Sequence, residues 1–229
     1  MFCSALGRRR LTFSGDSTMQ QLAASLMNFL SVAGAPCLVN VSFAHSDTLI
    51  GLNLGMDNRG FPFLDAARRV GWPELQVINA GLHISKSADF TRVLQTVKSS
   101  YEAALASADG RRLPRLIWAT SVGTPYGPSV LPASPRDIPG YWERLRGNAS
   151  GAQIRLYNHD LLEGWDDQPV SFWRGMPWAS VLDLRPLWQR PDAKVDPHGL
   201  DVAHVCLPGP FREVAVWLTA LLQAPGTSP

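Results

Sequence analysis

At Leu11-Thr12-Phe13-Ser14-Gly15-Asp16-Ser17-Thr18-Met19-Gln20-Gln21 an apolar run breaks at a glycine and turns at once into an amphipathic pattern. Met19, Leu22, Ala23, Leu26 and Leu30 follow the i, i+3, i+4, i+7 spacing that lays one stripe of a helix against a sheet. A strand, a tight turn and a helix start in so few residues point to an α/β arrangement. Ser17 then stands where strand gives way to helix, at the carboxyl edge of the sheet. Open α/β folds bind ligands at that edge, and backbone N–H groups there can hold an oxyanion. The same residues also read as a capping box, Ser17-Thr18-Met19-Gln20, in which the serine only satisfies the first N–H groups of the helix.

The alternation continues downstream. Gly34 and Pro36 stop the first helix, and Cys37 to Ala44 reads as a second, largely apolar strand. His45 to Trp72 lacks clean periodicity and reads as a long loop with a short helix around Leu64 to Val70. Leu75 to Asn79 is a compact strand, with Asn79 at its carboxyl end, level with Ser17 in a parallel sheet. The Asn79 amide suits either an oxyanion donor or a turn residue before Gly81.

Phe90, Leu94, Val97, Tyr101 and Leu105 share one helix face, and Asp109-Gly110 ends that helix. Leu113 to Thr120 is the next strand. The proline- and glycine-rich Gly123 to Gly140 follows as a candidate wall of a substrate cleft, then a short helix from Trp142 to Arg146 and a fifth strand over Ala152 to Asn158. Trp165, Trp173, Trp178 and Trp188 crowd the next stretch, where packing under irregular loops is preferred to sugar stacking. Phe211, Val214, Ala215, Leu218, Leu221 and Leu222 mark a last helix opened by Pro210. The whole pattern implies a three-layer α/β/α sandwich with a mainly parallel central sheet, of flavodoxin-like topology.

At 229 residues, 45% hydrophobic and 17% charged, the chain suits a single domain, 1–229, with its core over about 10–223. A net charge of +2 is near balance, and the cluster Arg8-Arg9-Arg10 leads straight into an apolar strand, which argues against nucleic-acid binding. No apolar run is long enough for a membrane span, and Met1 to Leu6 is too short for a signal peptide. Three cysteines, Cys3, Cys37 and Cys206, allow one disulfide, and no Cys/His spacing reads as a metal site. Asn40-Val41-Ser42 and Asn148-Ala149-Ser150 are glycosylation sequons.

Near the other end, Asp201-Val202-Ala203-His204 supplies a carboxylate and an imidazole three residues apart. Serine, then aspartate, then histidine is one of the chain orders in which hydrolytic triads occur. Ser17 is the nucleophile on this reading, His204 the general base and Asp201 its orienting carboxylate. His198 lacks a carboxylate three residues ahead and reads as a loop residue, as does His83.

Gly15-Asp16-Ser17, Asn79-Ala80-Gly81-Leu82-His83 and Asp201-Val202-Ala203-His204-Val205-Cys206-Leu207-Pro208-Gly209 resemble the ordered blocks of the SGNH (GDSL) hydrolase superfamily. Within it, the closing block and Arg190-Pro191-Asp192-Ala193 resemble the PC-esterase and trichome-birefringence-like branch. Val202 and Val205 stand where that branch has Cys and Trp, and Trp118 to Tyr126 lacks its Arg and its Ser-Pro-x-His segment. The resemblance implies acyl transfer through an acyl-Ser17 ester, with the oxyanion held at Ser17 and Asn79. It implies a glycan O-acyl ester, most often acetyl, as substrate, and either hydrolysis or transfer to a sugar hydroxyl. No cofactor or metal is expected. The resemblance further implies a secretory-pathway setting behind a targeting segment, and a bridge from Cys206 to Cys3 or Cys37. A reading from another class is a non-catalytic module that binds an anion or sugar at the Gly15–Thr18 helix start.

Overall fold

Short strands build the sheet: β1 over Leu11–Gly15, β2 over Val41–His45, β3 over Leu75–Ile78, β4 over Arg115–Ala119 and β5 over Ala179–Leu182. A computed structural model describes residues 1–51, 61–80, 87–107, 113–120, 171–184 and 211–223. In it the five strands lie in the order β2-β1-β3-β4-β5, and every neighbouring pair is parallel. Parallel sheets need cover on both faces. Accordingly β1 and β3 are buried at every position.

The cover comes from α1 (Phe2–Leu6), α2 (Ser17–Val32), α3 (Phe63–Arg69), α4 (Ser87–Ser107) and α5 (Phe211–Gln223). On one face Leu11, Phe13, Val41, Val77 and Ile117 pack with Met19, Leu22, Leu26 and Leu30 of α2 and Val214, Leu218 and Leu222 of α5. On the other, Ile78, Leu116 and Trp118 pack with Phe63 and with Phe90, Val93, Leu94 and Val97 of α4. The described elements thus form the expected α/β/α layers, because the apolar stripe of each helix matches one face of the strands. No helix among the described residues is long and apolar enough to cross a membrane.

The second face of β1 carries polar side chains, and each meets a partner. Thr12 Oγ1 lies 2.8 Å from Ser42 Oγ on β2. Gln76 of β3, fully buried, donates to Ser14 Oγ at 2.9 Å and to the Phe63 carbonyl at 2.8 Å. The seam joins β2, β1, β3 and α3, and these bonds make its hydroxyls and the Gln76 amide nitrogen tolerable at that depth, while the Gln76 amide oxygen has no hydrogen-bond partner among the described residues.

Several expectations change. Met1 to Leu6 contributes α1, whose Phe2 and Leu6 are buried in the layer of α2 and α5. The second strand starts at Val41, because Pro36–Asn40 forms a 3₁₀ helix, with Pro36 suited to its first turn. The tryptophan-rich stretch holds β5, and its Trp173 is a core residue, 5.7 Å from Trp118 in a stacked pair. The expected bridge to Cys206 is overturned, since Cys3 and Cys37 are joined to each other, with Cα atoms 5.4 Å apart. The reason is α1, which sets Cys3 against the 3₁₀ helix that carries Cys37, in the same apolar layer. Gly123 to Gly140, Trp142 to Arg146, Ala152 to Asn158, Trp165, Trp188 and Cys206 lie outside the described residues.

Candidate active site

With all strands parallel, their carboxyl ends share one edge. Chain order reverses there: β2 lies on one side of β1, and β3, β4 and β5 follow on the other. The crevice between β1 and β3 is therefore a topological switch point, where open α/β sheets hold their ligands. Ser17 follows β1 at this point, and Asn79 follows β3.

The turn that presents Ser17 depends on Gly15. A Cβ there would stand 2.8 Å from Met19 Cβ and 2.9 Å from the Asn79 carbonyl oxygen, so only glycine lets the first turn of α2 and the end of β3 come this close. Asp16 then takes the extended conformation of a helix cap, with φ −78° and ψ −165°. Its fully buried carboxylate accepts the Thr18 N–H at 2.9 Å, the Thr18 hydroxyl at 2.6 Å and the Met19 N–H at 3.4 Å. The capping-box reading of Ser17 is corrected by this geometry. Asp16 is the cap, and Ser17 is the first helical residue, partly exposed. The shift comes from backbone conformation, because the residue that turns extended is the one whose side chain faces the first free N–H groups.

Asn79 sits where expected. Its N–H donates to the Ser14 carbonyl at 3.1 Å, which brings it level with Gly15. Its side-chain amide is 2% exposed and donates to the Ala119 carbonyl at 2.9 Å. One amide hydrogen is thereby committed to β4. The carbonyl oxygen of the amide has no hydrogen-bond partner among the described residues. The β4 end is tied down in turn, as Thr120 accepts the Leu184 N–H at 2.7 Å.

A pair that sequence reasoning passed over lies on the other side of Ser17. His45 ends β2 in register with Gly15, and its Nε2 lies 2.5 Å from Asp47 Oδ1. The Ser46 N–H between them donates to the Gly15 carbonyl at 2.9 Å. The only signal in the sequence was His-x-Asp straight after an apolar strand, which looks like any solvated loop start. Asp201, His204, His198 and His83 lie outside the described residues. The structure thus brings Ser17 and Asn79 to one edge and adds His45 and Asp47 beside them.

Compared with protein-family models and with the curated proteins, the chain finds no significant match.

Proposed function

We propose that this chain is a serine-dependent O-acyl esterase or O-acyltransferase that works through an acyl-Ser17 ester, most plainly on acetyl or other acyl esters of a glycan. The observation that carries the reading is the division of labour at the start of α2. Asp16 does the capping, so the partly exposed Ser17 at the switch point is not needed for it.

In this mechanism Ser17 Oγ attacks the ester carbonyl carbon while His204, oriented by Asp201, takes its proton. The oxyanion is held by the Ser17 N–H and the second amide hydrogen of Asn79. His204 returns the proton to the leaving alkoxide, and water or a sugar hydroxyl then opens the acyl-enzyme. The resemblance of the closing block, Asp201 to Gly209, supports the glycan ester and the SGNH assignment. The anion-binding alternative is disfavoured by Asp16, whose carboxylate occupies the Thr18 and Met19 N–H groups that an anion would need.

A fluorophosphonate probe followed by peptide mass spectrometry tests the reading, with modification expected at Ser17 alone. Deacetylation of acetylated oligosaccharides, set against long-chain nitrophenyl esters, tests the substrate class. A marked preference for the long-chain esters overturns the carbohydrate reading. Repeating the assay with an acetyl donor and an unacetylated acceptor separates transferase from hydrolase.

A further inference from the structure

Asn40-Val41-Ser42 is an acceptor sequence for N-linked glycosylation, with a hydroxyl two residues after the asparagine and no proline between them. Such a sequence becomes a site only where the asparagine lies at the surface of a protein that meets the glycosylating machinery. Two separate features of the fold bear on those conditions.

The first is position. Asn40 is the last residue of the 3₁₀ helix Pro36–Asn40, directly before β2, and it is partly exposed beside Val39, which is 87% exposed. β2 is the outermost described strand on its side of the sheet, and β1 is its one described neighbour. Val41 lies level with Leu11, the first residue of β1, so Asn40 stands at the amino edge of the sheet. Ser17 follows the carboxyl end of β1, so the two residues belong to opposite edges.

The second is Cys37, three residues before Asn40 on the same 3₁₀ helix, which is bridged to Cys3 of α1. Disulfides form and persist in oxidising compartments, and N-linked glycans are added in the secretory ones among them. The fold also dates the modification. Ser42 Oγ lies 2.8 Å from Thr12 Oγ1, and Ser42 is in register with Thr12 on β1. A transferase that reads the Ser42 hydroxyl needs it released from this pair, on a segment still free to fit an enzyme cleft. The docking of β2 on β1 and the closure of the bridge both end that freedom.

We propose that Asn40 carries an N-linked oligosaccharide, added before β2 pairs with β1, and that this holds independently of the Ser17 chemistry. The donor is an oligosaccharide linked to a polyprenyl diphosphate, and the catalyst is a membrane-bound oligosaccharyltransferase. Asn40 Nδ2 bonds to C1 of the first sugar, and the bond from C1 to the diphosphate oxygen breaks. The diphosphate leaves with that electron pair, and the amide gives up one proton.

The test expresses the chain in a eukaryotic host behind an appended signal peptide and maps protein recovered from the lumen or the medium. Release of the glycan by peptide N-glycosidase in heavy-oxygen water turns an occupied asparagine into a labelled aspartate, which peptide mass spectrometry finds. Asn40 should be labelled in most molecules, with Asn148 scored on its own peptide. Ser42→Ala should abolish the label at Asn40, and Ser42→Thr, which keeps the hydroxyl, should retain it. Should Ser42→Ala fail to fold, Asn40→Gln takes its place and should lose one glycan in gel mobility. An unlabelled Asn40 in wild-type protein whose Cys3–Cys37 bridge has formed overturns the proposal, as does a label that survives Ser42→Ala. The timing is tested on protein from a bacterial host, offered bridged and folded or reduced and unfolded to the solubilised transferase with its lipid-linked donor. Only the unfolded form should take up sugar, and equal uptake by both overturns the order of events.

Discussion

The carboxylate of Asp16 takes both the backbone N–H and the hydroxyl of Thr18, at 2.9 and 2.6 Å, and so caps the helix that begins at Ser17. Ser17→Ala should therefore cost little stability, within about 0.5 kcal/mol, because no cap is lost. Asp16→Ala should cost about 2 kcal/mol, the upper end for a cap, because the bonds it removes are charge-assisted and buried. Urea unfolding of the two variants gives the contrast. The same Ser17→Ala protein should lose all fluorophosphonate labelling and esterase turnover. Near-wild-type turnover in it removes Ser17 from the chemistry.

Gly15→Ala should disturb the site more than its single added methyl implies. The new carbon would meet Met19 Cβ and the Asn79 carbonyl inside van der Waals distance, and neither is the free end of a flexible side chain. Overpacking of this kind costs about 1–3 kcal/mol. Because the displaced atoms belong to the Ser17 turn and the Asn79 strand end, turnover should fall along with the melting temperature. A variant that melts lower with unchanged turnover would show that the turn relaxes without moving Ser17.

The histidines near the end of the chain divide by the carboxylate ahead of them. His204→Ala should lower turnover by about 10³-fold or more, as removal of a triad base does. His198→Ala should keep most of it. Steady-state rates with one acetyl ester decide, and the reverse pattern reassigns the base.

Non-reducing peptide mapping of oxidised protein should recover Cys3 linked to Cys37, with Cys206 alkylated by a thiol reagent. The bridge closes a loop with a sequence separation of 34, for which chain entropy predicts about 3–4 kcal/mol. Cys3→Ser with Cys37→Ser should lose stability on that order, and Cys206→Ser should not. A peptide linking Cys206 to either partner would falsify the pairing.

Tyr101 ties α4 to the chain before β4, its hydroxyl donating to the Pro114 carbonyl at 2.9 Å while its ring stacks on Trp178 at 4.3 Å. Burial pushes the phenol up from 10.0 to about 12. Above pH 10 the unfolded chain gives up this proton while the folded one keeps it, so the folded state loses ground as pH rises from 10 to about 12. Below pH 10 the contribution is complete. Tyr101→Phe should cost about 1 kcal/mol at neutral pH through the lost hydrogen bond, and the gap to wild type should narrow across the alkaline range. Denaturant titrations at neutral pH and above pH 10 measure both.

The elements that sequence reasoning found share one property, a strong local pattern. The stripe of Met19, Leu22, Leu26 and Leu30 and that of Phe90, Leu94, Val97 and Tyr101 are helix faces in the fold. The apolar run at 113–120 holds β4, and the short helix expected near Leu64 is α3. β5 escaped because Ala179-Ser180-Val181-Leu182 is too short to show a period, and its identity as a strand comes from pairing with β4. The cap was placed one residue late because Asp16 and Ser17 both carry suitable oxygens, and backbone conformation alone chooses between them.

Apolar spacing is a property of neighbours along the chain, and by itself it determined the α/β class, the strand, turn and helix around Ser17, and the level of Asn79 beside it. Which polar groups meet was decided only by strand order and register, since these join residues far apart in sequence. Thr12 reaches Ser42, Ser14 reaches Gln76, and Gly15 comes level with both His45 and Asn79. The Cys3–Cys37 bridge belongs to the same class of fact, whereas the His45–Asp47 pair is local in sequence. A cysteine chooses its partner by which helix packs beside it. Strand register likewise sets His45 level with Gly15, next to the turn that carries Asp16 and Ser17.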